Sequence, residues 1–115
     1  MKKILIVVAN YYPEISEKLL ETAKSGLNNY DTKIIYAPGI FEIPVIISKH
    51  IDSFEAVIAL GCVIKGETPH FDFISQAFNN GIMKISIENK KPIGNGVLTC
   101  LNKDQALARV NKGLE

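Results

Sequence analysis

The chain has 115 residues, 47% of them hydrophobic and 22% charged, with a formal net charge of +1. That length supports one compact domain over residues 1–115, and the absence of any run of five or more like charges excludes a nucleic-acid stripe and a polybasic membrane anchor. No apolar stretch approaches the roughly 20 residues needed to span a bilayer, whereas so short a domain leaves apolar surface that favours self-association.

The opening Met1-Lys2-Lys3 followed by Ile4 to Ala9 imitates a secretory leader, but the apolar part is short and the polar Asn10-Tyr11-Tyr12 follows without a small-residue cleavage site. Lys3 to Ala9 therefore reads as a first strand of a soluble protein. Ile15, Leu19, Ala23 and Leu27 then mark a helical face. Thr32 to Ala37 is a second strand. A second helix carries Ile43, Ile46, Ile47, His50 and Ile51, with Pro44 acceptable in its first turn. Ala56 to Ile64 is a third strand and is followed by a helix through Phe71, Ile74, Phe78, Ile82 and Ile85. Gly96 to Cys100 is a fourth strand, and a last helix runs from about Asn102 to the end.

These strands are rich in Ile and Val and lack strict alternation, as expected of strands covered on both faces. Their separation by helices predicts parallel pairing with right-handed crossovers, hence a three-layer α/β/α sandwich around a four-stranded parallel sheet. Cys62 and Cys100 lie in or beside apolar runs and read as reduced, buried thiols, which suits the cytoplasm.

In such a sheet, ligands gather beyond the carboxyl ends of the strands, where three segments carry candidate chemistry. Gly61 to Asp72 leaves the third strand, crosses a loop containing Gly66 and enters a helix at Thr68-Pro69. Thr68 is a competent N-cap, Pro69 fits the first helical position, and the free amides of that helix end can hold a phosphate. Taken alone, the loop is more often a plain strand-to-helix connection. His70, in the first turn, shifts the weighing because a near-neutral imidazole beside an anion pocket suits proton transfer. His50 lies among isoleucines with no glycine loop nearby and reads as structural. In Ala37 to Pro44, Phe41 offers a flat apolar surface and Glu42 an acceptor; packing of the Phe and a dipole contact for the Glu explain them about equally well. In Asn10-Tyr11-Tyr12-Pro13 an aromatic could stack on a planar heterocycle, and either tyrosine could also be simple packing.

Taken together, Pro38-Gly39-Ile40-Phe41-Glu42-Ile43-Pro44, the run from Ala59 to Asp72, and Asn95-Gly96-Val97-Leu98-Thr99 resemble the ordered motifs of the lumazine synthase family, the riboflavin synthase beta-chain family. The likeness spans nearly the whole chain. It implies a flavodoxin-like fold and an enzyme of riboflavin biosynthesis that condenses 5-amino-6-(D-ribitylamino)uracil with 3,4-dihydroxy-2-butanone 4-phosphate to 6,7-dimethyl-8-ribityllumazine, without metal or other cofactor. By resemblance, Tyr11 takes the place of the ring-stacking phenylalanine. Ile40, Phe41, Glu42, Cys62, Val63 and Ile64 line the pyrimidine and ribityl pocket. Glu67 and Thr68 bind the keto-phosphate through backbone amides, His70 is the proton-transfer histidine, and Arg109 is the phosphate-binding arginine.

The resemblance also carries departures. Tyr11 adds a hydroxyl, Ile40 is bulkier than the usual alanine, and Asn95 stands where many members have a ring-covering phenylalanine. The closing segment from Arg109 lacks the family's Gly-rich connection, and the chain begins directly at its first strand. The expectation is a pentamer rather than a larger shell, with riboflavin synthase as a candidate protein partner. Asn95, preceding the fourth strand, would sit at the far end of the sheet from Phe41, so a site using both must lie between subunits. The alternative is a non-catalytic lumazine- or flavin-binding oligomer of the same fold.

Overall fold

In the computed structural model, which describes residues 1–65 and 70–112, strands and helices alternate along the chain. They are β1 (Lys3–Ala9), α1 (Pro13–Ser25), β2 (Asp31–Ala37), α2 (Ile43–His50), β3 (Ala56–Ile64), α3 (His70–Asn89), β4 (Ile93–Cys100) and α4 (Lys103–Lys112), with short 3-10 turns at Ile40–Glu42 and Ile51–Ser53. The sheet has the order β2-β1-β3-β4 and every pairing is parallel. This is the α/β/α arrangement expected from the sequence, in a flavodoxin-like strand order.

Because successive strand side chains point to opposite faces, the apolar residues of β1 feed two cores. Leu5, Val7 and Ala9 meet Ile43, Ile47 and Ile51 at the end of α2, together with Phe78 and Ile82 of α3. Ile6 and Val8 meet Ile15, Leu19 and Leu20 of α1 and Ala106 and Val110 of α4. The helices thus form two layers, α2 with α3 and α1 with α4. Burying a side chain such as Ile43 or Ile47, each fully enclosed, stabilises the fold by about 1.5–3 kcal/mol. Across the α1 and α4 layer, Glu14 pairs with Lys103 at 2.7 Å on the surface.

Local chemistry sets several ends. Pro13 opens α1, where its missing N–H costs nothing, and the amides of Ile15 and Ser16 both donate to the carbonyl of Tyr12. Lys90 closes α3 in the left-handed region at φ 54, a common helix-terminating conformation. At α4 the amide of Gln105 donates to Asn102 Oδ1 at 2.9 Å. The first helical face ends sooner than Leu27 suggests, since α1 stops at Ser25.

One boundary differs in a way that bears on the site. β4 begins at Ile93, three residues before the expected Gly96, so Asn95 lies inside the strand, paired with Ala59, rather than ahead of it. The glycines flanking Asn95 read locally as a turn, yet pairing with β3 holds them extended. A Cβ on Gly96 would come within 2.7 Å of Leu60 Cδ2, the flexible end of that side chain, and 3.2 Å from the carbonyl of Ala59. Among the described residues, no helix is long and apolar enough to cross a membrane.

Candidate active site

The chain leaves β1 toward β2 on one side and leaves β3 toward β4 on the other, so the carboxyl ends of β1 and β3 form a topological switch point. A cavity of about 620 Å3 opens there. Its walls come from the segments that follow β1, β2 and β3, and it straddles both layers.

The wall after β1 is made by Tyr11 and Tyr12. Their rings meet edge to face, with centroids 4.9 Å apart and planes at 79°, a favoured aromatic geometry. Tyr11 stands 70% exposed at the mouth. The Tyr12 hydroxyl is held above the ordinary phenol range by burial, then by Tyr11, Cys62 and Glu14.

After β2 the backbone is extended at Gly39 and then winds into the 3-10 turn that carries Ile40, Phe41 and Glu42. The turn divides the labour among three adjacent residues. Ile40 drops into the core, Phe41 stays 60% exposed on the cavity wall, and Glu42 is half-buried beside it. The Glu42 carboxylate folds back toward Gly39, where a Cβ would lie 3.3 Å from Oε1.

The end of β3 gives the cavity Cys62, Val63 and Ile64. Just before them, Gly61 lets Ile40 settle against the sheet: a Cβ on it would be 3.0 Å from Ala9 Cβ and 3.1 Å from Ile40 Cγ2. Cys62 is buried and its thiol is pushed up to about 12, chiefly by burial and then by Cys100, with Arg109 opposing in part. A thiol so held is protonated at neutral pH and is no nucleophile. Cys62 and Cys100 are both free and buried, as the sequence suggested.

The remaining wall is the first turn of α3. His70, Phe73 and Ile74 border the cavity together, because residues three and four apart share a helix face. His70 therefore borders the same space as Phe41 and Glu42. Glu67 and Thr68 lie outside the described residues.

Of the remaining candidates, Tyr11, Ile40, Phe41, Glu42, Cys62, Val63, Ile64 and His70 all border this cavity. Asn95 and Arg109 do not, within one chain. Asn95 is exposed on the edge strand, its Nδ2 donating to Asn79 Oδ1 at 3.3 Å and its Oδ1 accepting from the amide of Val97 at 3.0 Å. Arg109 is exposed on α4, with Nη1 donating to the carbonyl of Thr99 at 3.2 Å. The structure adds Tyr12, Pro38, Gly39, Phe73 and Ile74 to the walls. Helical spacing from His70 was the available signal for Phe73 and Ile74, although an Ile at that spacing reads first as core.

Known proteins resemble this chain over nearly its whole length. The sequence profile described as 6,7-dimethyl-8-ribityllumazine synthase matches residues 1–115. The chain is 38% identical to the 6,7-dimethyl-8-ribityllumazine synthase of Corynebacterium kroppenstedtii, over 98% of this chain and 77% of that protein. It is 40% identical to the enzyme of that name from Cutibacterium acnes, over 98% of this chain and 69% of the relative. For the one from Agrobacterium fabrum the identity is 39%, over 95% and 80%.

Proposed function

The chain belongs to the 6,7-dimethyl-8-ribityllumazine synthase family, and on that premise we propose that it is a transferase of riboflavin biosynthesis. It joins 5-amino-6-(D-ribitylamino)uracil to 3,4-dihydroxy-2-butanone 4-phosphate, giving 6,7-dimethyl-8-ribityllumazine, phosphate and water. The observation that carries this reading is the shared cavity: His70 borders the same space as Phe41 and Glu42.

In the proposed reaction the pyrimidine amine attacks the ketone and water is lost to form an imine. Elimination of phosphate follows and leaves an enol, whose tautomer carries a second carbonyl for ring closure with loss of a second water. Amine addition and ring closure onto the second carbonyl, revealed when phosphate leaves and the enol tautomerises, release two waters in all beside the phosphate. His70 moves protons during imine formation and elimination. The aromatic rings at the mouth hold the heterocycle, and Glu42 accepts hydrogen bonds from the ribityl chain. Cys62, Val63, Ile64 and Ile40 supply apolar enclosure. Glu67 and Thr68 take the phosphate through backbone amides, and Arg109 adds a charge-assisted contact. Alignment of two reactants supplies much of the acceleration.

We assign Arg109 and Asn95 to a site on a neighbouring copy, which their absence from the cavity walls of their own chain supports. Exposed Phe73, Met83 and Ile87 along α3 give such a neighbour apolar surface to cover. The assembly is read as a pentamer, in the cytoplasm, with riboflavin synthase as a candidate partner. The buried free thiols suit a reducing compartment. A steady-state assay with both substrates, run beside native mass spectrometry, tests the reading. Lumazine formation that depends on both substrates, by a pentamer, is the expected result; tight lumazine binding without turnover would make the protein a carrier instead.

A further inference from the structure

Ser16 is the one polar residue buried as a whole among the described residues, 1% exposed, on the α1 side of the sheet. A hydroxyl taken out of water needs a partner to offset its desolvation. Its partner is Asn10, whose Oδ1 accepts from Ser16 Oγ at 2.7 Å; the carbonyl of Pro13 lies farther away, at 3.5 Å. A hydroxyl has a single proton to give, and the shorter contact is the stronger bond.

Asn10 is the first residue after β1 and is tied in two directions. Its backbone amide donates to the carbonyl of Ala37 at 3.0 Å, the last residue of β2, immediately ahead of the Pro38 to Glu42 wall. Its side chain reaches down to the buried end of α1. Between these anchors and the helix hang Tyr11 and Tyr12. Tyr12 is held further by the two amides that its carbonyl accepts. Tyr11 is largely exposed and rests its ring edge to face against Tyr12.

We propose that Ser16 is a positioning residue for the ring-binding wall. Through Asn10 it fixes the path of the loop between β1 and α1, and so holds the Tyr11 ring at the mouth of the cavity without touching substrate. A loop left to sample other paths would have to be ordered each time a heterocycle bound, and that ordering cost would appear as lost affinity. The inference rests on the lumazine synthase reading above, since it takes Tyr11 to face the pyrimidine.

The test compares Ser16→Ala, Asn10→Asp, Tyr11→Ala and the Ser16→Ala/Tyr11→Ala double variant in steady-state lumazine formation, with both KM values and thermal unfolding recorded. Ser16→Ala is expected to raise the KM for the pyrimidine by about 5- to 30-fold, the size of one lost buried hydrogen bond. Both kcat and the KM for the keto-phosphate should stay within about 3-fold, since neither chemistry nor phosphate contact is altered. Asn10→Asp keeps the acceptor and should retain the wild-type pyrimidine KM. In the Tyr11→Ala background the further change from Ser16→Ala should fall below about 2-fold, as required of residues acting through one another. An unchanged pyrimidine KM in Ser16→Ala overturns the proposal. So does an equal factor in both backgrounds, or a rise shared by both substrates, which would mark Ser16 as only structural. A wild-type protein that makes no lumazine would remove the functional reading itself, and this inference with it.

Discussion

Each end of the sheet holds a hollow and a histidine, yet the two ends offer different chemistry. At the carboxyl end, about 620 Å3 is bordered by Tyr11, Phe41, Phe73 and His70. At the amino end, about 310 Å3 is bordered by Lys3, Asp31, Lys33, His50, Ser53 and Phe54. The difference follows from chain direction. In a parallel sheet with returning helices, α1 and α3 begin beside the carboxyl ends of β1 and β3, so the positive ends of their helix dipoles lie at that end of the sheet. The amino end receives helix termini of the opposite sign, and His50 is the last residue of α2. A hollow with a histidine is therefore not enough; polarity of the sheet decides which one suits a phosphate-bearing substrate.

Substitution of the two histidines tests that contrast most directly. His70→Ala is expected to lower kcat by about 10- to 1000-fold, as for loss of one acid–base group with alignment intact. Steady-state rates near those of the wild type would end its assigned role and, with it, the distinction between the two ends.

Gly61→Ala asks whether the carboxyl-end cavity depends on the bare backbone under Ile40. The added methyl would sit 3.0 Å from Ala9 Cβ and 3.1 Å from Ile40 Cγ2, so overpacking should cost about 1–3 kcal/mol. Denaturant titration measures it, and an unchanged midpoint would show that Ile40 can shift freely.

A smaller effect concerns Cys62. Its thiol is raised from the ordinary value of 9.0 to about 12, first by burial, so the folded chain keeps a proton that the unfolded chain releases. The corresponding stability is present below pH 9 and is lost as pH rises from about 9 toward 12. Thermal unfolding between pH 8 and 11 should therefore show an alkaline decline that is shallower in Cys62→Ala. Parallel declines would assign the effect to other groups.

The smallest change is expected from His50→Ala at the amino end, where kcat and both KM values should stay within about 2-fold, in keeping with a surface substitution remote from chemistry. A loss comparable to that at position 70 would make the two ends equivalent.

Much of the fold is legible in the chain because strands covered on both faces advertise themselves as continuous apolar runs. Lys3–Ala9 and Ala56–Ile64 carry the same limits in sequence and structure. β4 is the exception: Gly94, Asn95 and Gly96 have no local preference for extended backbone, and only pairing with β3 imposes it. At the site, Phe41, Glu42 and His70 could be singled out by residue type and position at strand ends. Tyr12 could be offered only with packing left as an equal alternative, and Phe73 could not be singled out, since an aromatic reads alike whether it packs or lines a cavity. Ser16 reads as an ordinary helix-surface residue until its burial is known.

The sequence by itself determined the alternation of strand and helix, the parallel sheet and the order in which candidate residues meet the chain, because these rest on periodicity and turn chemistry within a few residues. Only the tertiary structure decided which residues face one another. It brought His70 and Phe41 to one cavity, left Arg109 and Asn95 out of its walls, and set Ser16 against Asn10. Such contacts depend on strand order, layer and burial, which arise when distant segments pack together and leave no mark on any one of them.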